Sequence, residues 1–255
     1  MMEKSKDTQI YIFAHKPVPY GIYDNFFYTP VQVGFNDRFL DVCEWDEEDN
    51  LNDWNGVYAE TSATYFVWKY QHPAKHKGQC QYRRRITFPE DTDFDDIFSK
   101  FDVIASVPVR CVSTVWQQYA SCHSEKDMRV LEEVVKSLYP DYAESFDSYI
   151  KNGNVLFYSN SFIMHSEDYD RYAEWLFNIL GEFLRRQNLD TPDKVRKQIK
   201  YEMKNKSRKS DRGINYQQQI CGFLSERLWT LFLRHNFKGD RILCMKYEKF
   251  EGIEI

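Results

Sequence analysis

The sequence predicts an α/β protein in which a sheet is flanked by helices. Apolar runs of the length of buried strands occur at residues 9–14, 101–109 and 154–164. Longer stretches with helical periodicity alternate with them, at residues 57–70, 125–138, 171–186 and 216–235. Strands interleaved with helices are typical of an α/β sheet.

Composition places the chain among globular proteins. Its 255 residues are 42% apolar and 29% charged, so we expect a single domain over residues 1–255 with a sizeable core. A net charge of −5 lacks the positive excess that is typical of nucleic-acid-binding proteins. The six cysteines form no C-x-x-C pair, and a polar N-terminus precedes a chain with no run of membrane-span length. These features predict unpaired cysteines and a cytoplasmic location.

The first strand, residues 9–14, ends at His15-Lys16-Pro17. Ligands of α/β sheets bind outside the carboxyl ends of the strands. His15 and Lys16 are therefore candidates for ligand contact, with an ordinary strand exit as the alternative. The acidic stretch 36–53 reads as a loop or an insertion.

Two of the helical stretches carry a charge inside an apolar stripe. Glu60 falls in the stripe of 57–70, and Arg227 falls in that of 216–235. Buried charges are costly without partners. We therefore expect each to have an oppositely charged or strongly hydrogen-bonding partner, and a structural pair of Glu60 with Arg227 is one option.

Three arginines, Arg83 to Arg85, follow a short strand at residues 79–82. The planar guanidinium fork suits phosphate oxygens, so this cluster is a candidate diphosphate site. The alternative is a solvated charge run on a surface strand.

An acidic patch at residues 90–96 contains two D-x-D matches, formed by Asp91, Asp93 and Asp95. This spacing suits the Mn²⁺ or Mg²⁺ ion of a nucleotide-sugar, which makes a divalent metal the alternative to a metal-free site. The competing interpretation is a solvated helix start before Ile97 and Phe98.

Residues 189–212 contrast with the acidic chain, because they carry nine lysines and arginines. One interpretation is a mobile, solvated segment. The other is contact with anionic lipid headgroups or a polyanionic acceptor.

Several landmarks occur in one order along the chain. They are His15–Pro17, Gln32–Gly34, Glu60 with Trp68–Lys69, Gln81–Arg84, Tyr119 with His123, Tyr139–Pro140, Asn160–Met164, Glu174–Phe177 and Gly222–Arg227. Together they resemble a family of bacterial glycosyltransferases of capsular and lipopolysaccharide synthesis, long labelled a domain of unknown function. The family's H-Y-R-R motif falls on Gln81–Arg84, and its G-F-L-S-E-R motif matches Gly222–Arg227.

The resemblance implies a GT-A-like, nucleotide-sugar-binding sheet. It further implies inverting transfer of a sugar, galactofuranose in some members, from a UDP donor to a cell-surface polysaccharide or lipid-linked glycan. The diphosphate is then expected at His15, Lys16, Gln81, Tyr82, Arg83 and Arg84. Guanidinium groups can stabilise the departing diphosphate without a metal.

The remaining roles are also carried over from the resemblance. Asn160 and Tyr119 are candidates for acceptor or sugar binding. An acceptor hydroxyl needs a general base, for which Glu226 and His123 are both candidates. Two departures stand out: Gln81 replaces the family's usual histidine, and Gln219 stands where an arginine is common.

Two other interpretations stay open at this stage. One is a non-catalytic polyanion- or glycan-binding protein, and the other keeps the fold but loses turnover through Gln81 and Gln219. For an enzyme acting on a lipid-linked acceptor, the expected place is the cytoplasm or the inner face of the cytoplasmic membrane.

Overall fold

A mixed sheet forms the centre of the computed structural model, which describes residues 7–17, 26–34, 37–71, 74–208 and 212–249. The strands are β1 (Thr8–Ala14), β2 (Tyr28–Gln32), β3 (His76–Gln81), β4 (Arg84–Arg85), β5 (Val103–Ser106), β6 (Val109–Arg110), β7 (Val155–Leu156), β8 (Phe162–His165), β9 (Ile242–Met245) and β10 (Glu248–Lys249). Across the sheet the order is β2-β1-β3-β8-β5-β9. Strands β1, β2 and β3 are parallel, as are β5 and β9, and β8 runs antiparallel between them.

Two short ladders extend this sheet. Strand β4 turns back from β3 and pairs with β10, whereas β6 and β7 form a separate two-stranded ladder. Because β1, β2 and β3 are parallel, their carboxyl ends meet at one edge.

Helices cover the sheet. They are α1 (Asn55–Tyr58), α2 (Thr61–Tyr70), α3 (Phe94–Lys100), α4 (Val115–Cys122), α5 (Glu125–Leu138), α6 (Ala143–Phe146), α7 (Ser166–Arg186), α8 (Pro192–Lys204), α9 (Ile214–Gln217) and α10 (Ile220–Asn236). The predicted α/β class, with a sheet flanked by helices, is confirmed by this arrangement.

Strand periodicity divides the core between the two faces of the sheet. Tyr11 and Phe13 of β1 pack in the larger apolar cluster with the helices, and Ile10 and Ile12 pack in the smaller cluster with Phe94. Successive strand side chains point to opposite faces, so an unbroken apolar run is what a strand buried on both faces requires.

Two elements differ from expectation because residues with a positive φ interrupt them. The helix expected over 57–70 breaks at Ala59, which has a φ of 50°. The strand expected over 154–164 is β7 and β8, separated by a turn in which Ser159 and Asn160 have φ values of 67° and 44°. Asn160 therefore lies in a turn and not within a strand.

The basic stretch 189–212 contains α8, whose Val195 and Ile199 are buried. The buried Arg208 guanidinium lies 2.7 Å from Asp127 and 2.9 Å from Glu202. These contacts tie the end of the stretch to α5, so this part is packed rather than mobile and solvated. Lys209 lies outside the described residues.

Candidate functional site

A pocket of about 330 Å³ lies at the carboxyl ends of β1, β2 and β3. It is where an α/β sheet is expected to bind its ligand. Its walls comprise Phe13, His15, Val33, Gly34, Asn55, Ala59, Glu60, Gln81, Tyr82, Arg83 and Gln219. Four residues that the sequence proposed for the donor, His15, Gln81, Tyr82 and Arg83, are thus brought together.

One wall of the pocket is cationic and aromatic. The His15 ring meets the Tyr82 ring edge-on at 5.2 Å, with Nε2 3.5 Å from the tyrosine oxygen. The Arg83 guanidinium lies 5.3 Å from the centre of the Tyr82 ring. Desolvation, followed by the positive charges of Arg83 and Lys16, lowers the pKa of His15. This wall presents the permanent charge of Arg83 beside an imidazole that favours its neutral form.

The other two expected donor contacts lie outside the pocket walls. Lys16 is exposed just beyond His15. Arg84 lies on β4 with its guanidinium 5.9 Å from the centre of the Tyr247 ring, and its charge acts on Glu226. Neither lines the pocket, but each directly follows a residue that does, Lys16 after His15 and Arg84 after Arg83.

Glu60 is a pocket residue whose role the sequence did not assign correctly. It directly follows the break at Ala59 and precedes α2, so its carboxylate reaches the pocket from between two helices. Gln81 Nε2 donates a 2.6 Å hydrogen bond to its Oε1. Desolvation and then the charge of Glu226 raise the pKa of Glu60, which the Gln81 hydrogen bond and the charge of Arg83 oppose.

The two positions that depart from the family pattern, Gln81 and Gln219, both line this pocket. Gln81 supplies the hydrogen bond to Glu60 just described, and Gln219 occupies the position before the first residue of α10. A glutamine is a neutral donor, so Gln81 holds the Glu60 carboxylate without adding the charge that a protonated histidine would supply.

Glu226 is not among the residues that line the pocket, although its charge acts on Glu60, and its side chain is 15% exposed. Its Oε1 accepts a 3.1 Å hydrogen bond from the backbone N–H of Ser159, and its Oε2 lies 2.8 Å from Arg227. Burial raises the pKa of Glu226, against the lowering effect of the Arg227 charge. Glu226 therefore fastens the strained turn at Ser159 and Asn160.

The structural pair of Glu60 with Arg227 does not form. Each has partners, as expected, but they are others: Arg227 binds Glu226, the carbonyl oxygen of Phe223 and the side chain of Gln118. The helical-wheel argument for the pair failed because the break at Ala59 takes Glu60 out of any helix interior.

His123 and Tyr119 do not reach the pocket. His123 is 4% exposed, donates from Nδ1 to the side-chain oxygen of Gln217 at 3.0 Å, and stacks on Phe223 at 4.2 Å. Burial lowers the pKa of His123 to about 3. Because the side chain is buried and does not line the pocket, a role as general base has no geometric support. The Tyr119 hydroxyl is fully buried and donates to Asp127 at 2.7 Å, which leaves it unsuited to contact a sugar.

Asn160 also has an internal function. Its Nδ2 donates to Ser225 at 2.9 Å, and its carbonyl oxygen accepts from Gln79 at 3.1 Å. Since the residue is 3% exposed, contact with a sugar has no support here. It instead joins the turn after β7 to α10.

The acidic patch does not converge on a common point. Asp93 caps α3 by accepting from the Asp96 N–H at 3.0 Å, and Asp95 pairs with Lys75 at 2.5 Å. Among the residues that the structure describes, no group of three or more His, Cys, Asp or Glu side chains is placed to hold a metal ion. The solvated helix start is the interpretation that fits Asp93 and Asp95.

The floor of the pocket is held by a carboxylate that the sequence placed in a loop. Glu44 is fully buried, and its Oε1 accepts a 2.8 Å hydrogen bond from the N–H of Gly34, whose φ is 77°. Burial raises the pKa of Glu44 to about 7. Nothing in a local acidic run marks one member as buried, so no sequence signal identified it.

The G-F-L-S-E-R motif brings α10 against the helix break. A Cβ built on Gly222 would lie 2.9 Å from the Cβ of Ala59 and 3.1 Å from the carbonyl oxygen of Tyr58. Ser225 bonds Thr61 at 3.0 Å. The motif thus fixes the place from which Glu60 projects.

No helix among the described residues combines the length and apolar character needed to cross a membrane.

Comparison with known proteins places this pocket in a known fold. A family model described as Domain of unknown function (DUF4422) matches residues 9–201. A search of the curated proteins gave no match. Among solved structures, the apo structure of the WbbM bifunctional glycosyltransferase superimposes with a TM-score of 0.72 at 20% sequence identity.

That match covers 96% of this chain and 45% of the WbbM chain, so the chain spans less than half of that protein's length. The mannosyltransferase Ktr4p from S. cerevisiae matches at 12% identity over 71% of this chain and 62% of its own. Its TM-score of 0.34 is too low to indicate a shared fold. The fold is therefore the one shared with WbbM.

Proposed function

The chain belongs to the family described as Domain of unknown function (DUF4422), and from that premise we propose that it is a glycosyltransferase. It would move a sugar from a UDP-sugar to a cell-surface polysaccharide or a lipid-linked glycan. The observation that carries this proposal is the pocket at the strand ends, which both Arg83 and Glu60 line. The fold shared with WbbM is consistent with it.

The cationic wall suits a nucleoside diphosphate. As the bond between sugar and diphosphate breaks, negative charge grows on the leaving oxygen. Arg83 lines the pocket, and its guanidinium could stabilise that charge by donating two parallel hydrogen bonds to the phosphate oxygens. The positive charges of Lys16 and Arg84, which follow His15 and Arg83 in the chain, would lower the electrostatic energy of the bound diphosphate. On this proposal the leaving group needs no metal ion.

Glu60 is the general base that the geometry favours. It lines the pocket, whereas neither Glu226 nor His123 is among the lining residues. A raised pKa makes a carboxylate a stronger base near neutral pH. In a single displacement, Glu60 would take the proton of the acceptor hydroxyl while that oxygen attacks the anomeric carbon from the face opposite the diphosphate. One displacement inverts the configuration at that carbon.

The acceptor side of the proposal includes a membrane surface. Lys197, Lys200 and Lys204 recur at helical spacing on α8 and are exposed, with Tyr201 at 65% exposure among them. None of these lysines forms an ion pair with a described residue. A basic stripe with an exposed tyrosine suits the headgroup layer of an anionic membrane, and this would hold the enzyme on the inner face near lipid-linked acceptors.

The test is a donor screen in which UDP release is measured with a panel of UDP-sugars, with and without EDTA. We expect release with at least one donor, retained under EDTA and reduced at least a hundredfold in Glu60→Gln and in Arg83→Ala. Arg129→Ala is the matched control, since Arg129 lies on the exposed side of α5 and pairs with Glu125.

Two outcomes would contradict the proposal. UDP-sugar binding without release from any donor would favour a non-catalytic binding protein, or an enzyme that lost turnover through Gln81 and Gln219. Loss of all activity under EDTA, with Arg83→Ala close to wild type, would favour the metal alternative.

A further inference from the structure

A second pocket, of about 400 Å³, lies where α7, the end of α10 and the segment after α5 meet. It is lined by Tyr139, Asp141, Tyr142, Arg171, Glu174, Trp175, Asn178, Phe232, His235 and Asn236. Two motifs that the donor pocket leaves unused, Tyr139–Pro140 and Glu174–Phe177, converge here from positions distant in the sequence.

The base of this pocket is a stack of rings. Tyr142 lies between His235, at 3.7 Å, and Trp175, at 5.0 Å, with interplanar angles of 23° and 29°. Phe232 packs on Trp175 at 5.4 Å. Tyr142, Trp175 and Phe232 are buried, so they form a rigid support, and the half-buried Tyr139 and His235 are the aromatic rings that a ligand can reach.

Hydrogen bonds hold the stack in place. Asn236 donates to the Tyr142 hydroxyl at 2.7 Å, Ser145 lies 2.9 Å from His235 Nδ1, and Asn178 donates to the Tyr139 hydroxyl at 3.2 Å. The ring positions are thus fixed without a ligand, which lowers the entropic cost of binding one.

The rim carries exposed polar groups of both signs. Asp141, Glu174 and Asn178 are exposed, and the Arg171 guanidinium lies 5.5 Å from the centre of the Phe232 ring. Two carboxylates beside one guanidinium give little net attraction for a phosphate group. The rim therefore suits a neutral ligand with many hydroxyl groups.

A sugar ring has this chemistry, because its C–H groups form apolar faces and its hydroxyls project around the edge. Aromatic residues contact the faces, and carboxylates and amides can bond two adjacent hydroxyls. Pockets with an apolar base and a few placed polar groups are typical small-molecule sites.

The distance between this pocket and the donor pocket indicates which part of a glycan could reach it. Gln219 at the start of α10 lines the donor pocket, and Asn236 at its end lines the second one. A helix rises 1.5 Å per residue, so Gln219 and Asn236 are about 25 Å apart along the axis of α10. A reacting sugar cannot occupy both.

We propose that this second pocket binds a neutral hexose residue of the glycan chain, away from the end that is elongated. The assignment of that chain as acceptor rests on the proposed function, whereas binding of the sugar itself does not.

The test uses linear hexasaccharides of glucose, galactose and mannose as probes, with binding measured by saturation-transfer NMR and titration. Wild-type protein should bind at least one probe, and saturating UDP should not displace it. The double variant E174A/N178A should bind that probe at least tenfold more weakly while binding UDP normally. Glu167→Ala is the matched control, because Glu167 is exposed on the same helix outside the pocket.

Binding of none of the probes, equal binding by the double variant, or displacement by UDP would each overturn the inference. UDP binding and UDP release are measured on the same samples. A protein that binds a hexasaccharide but never releases UDP would uphold the second pocket and refute the transferase. The converse result would refute the pocket alone.

Discussion

At the scale of single residues, the pH response of turnover should report Glu60. A general base must be ionised, so kcat/KM falls as the pH drops through its pKa, and a higher pKa moves this acid limb to higher pH. Arg83 lowers the pKa of Glu60 and Glu226 raises it. We therefore expect Arg83→Gln to move the limb to higher pH and Glu226→Gln to move it to lower pH.

The measurement is the residual kcat/KM across pH, with Arg83→Lys as the control that keeps the charge and should keep the limb in place. Limbs that do not move, or that move in the same direction in both variants, would exclude Glu60 as the titrating base.

Glu44 offers a stability test of the pocket floor. Its folded pKa of about 7 lies above the ordinary value of 4.5, so the folded state binds this proton more tightly than the unfolded chain does. Stability from this group is present at low pH and is lost as the pH rises toward and through 7. The cost of ionisation above pH 7 is at most about 3 kcal/mol.

We expect Glu44→Gln to raise Tm at pH 8 and to change it little at pH 4. Thermal unfolding followed by circular dichroism at both pH values measures this, and Glu133→Gln on the exposed side of α5 is the control. An equal change at both pH values would show that the carboxyl is not the group that titrates.

The sequence singled out His15, Arg83 and Glu60, which line the pocket, but did not predict that Glu60 would lie beside the other two. His15 and Arg83 were found because strand ends are visible as the limits of apolar runs. Glu60 was misassigned, and His123 was proposed as a base, because burial and the break at Ala59 depend on contacts with α10 that are remote in sequence.

At the scale of elements, Gly222 sets the approach of α10 to the break between α1 and α2. We expect Gly222→Ala to destabilise the fold by about 1–3 kcal/mol, because the added methyl group overpacks the contact with Ala59 and Tyr58. Because Glu60 projects from that contact, we expect turnover to fall by more than the loss of folded protein explains.

Gly181→Ala is the matched helix control. It lies within α7 with nothing within 4 Å of the added Cβ, so the helix propensity of alanine should stabilise the protein by up to about 1 kcal/mol. Denaturant unfolding of both variants measures the difference. If the two had the same effect, the close approach at Gly222 would be unimportant.

Local patterns predicted some elements closely and others poorly for a physical reason. The helix expected over 125–138 is confirmed at both ends as α5, because its amphipathic period is a local property of the sequence. The strand expected over 154–164 is interrupted at Ser159 and Asn160, whose turn is held by Glu226 and Ser225 of α10. No window around residue 160 contains that information.

At the scale of the whole molecule, the stripe on α8 should govern membrane binding. We expect binding to phosphatidylglycerol vesicles that weakens steeply with salt. The triple variant K197Q/K200Q/K204Q should lose it, since each lysine near the surface contributes about 1 kcal/mol. Vesicle co-sedimentation across a salt series is the measurement.

A charge-matched control separates this stripe from net charge. Lys100, Arg129 and Arg185 are each paired with a neighbouring carboxylate, and their replacement by glutamine should leave binding nearly unchanged. Equal losses in the two triple variants would mean that only overall charge matters.

Strand order is the whole-molecule property that the sequence did not predict. The antiparallel β8 lies between β3 and β5, and β9 from the far end of the chain completes the sheet beside β5. Apolar runs show that a strand exists but carry no record of its neighbour, which depends on helix packing across the entire chain.

One end of α10 contributes to each pocket, so the length of this helix would set the distance that a glycan must span to occupy both. A glycan too short to span about 25 Å can engage only one end, whereas a longer one engages both. Affinity for the growing chain should then rise with length until the span is reached and level off beyond it. Discrimination between short and long chains would follow from the length of a single helix, without any group that recognises the far end of the polymer.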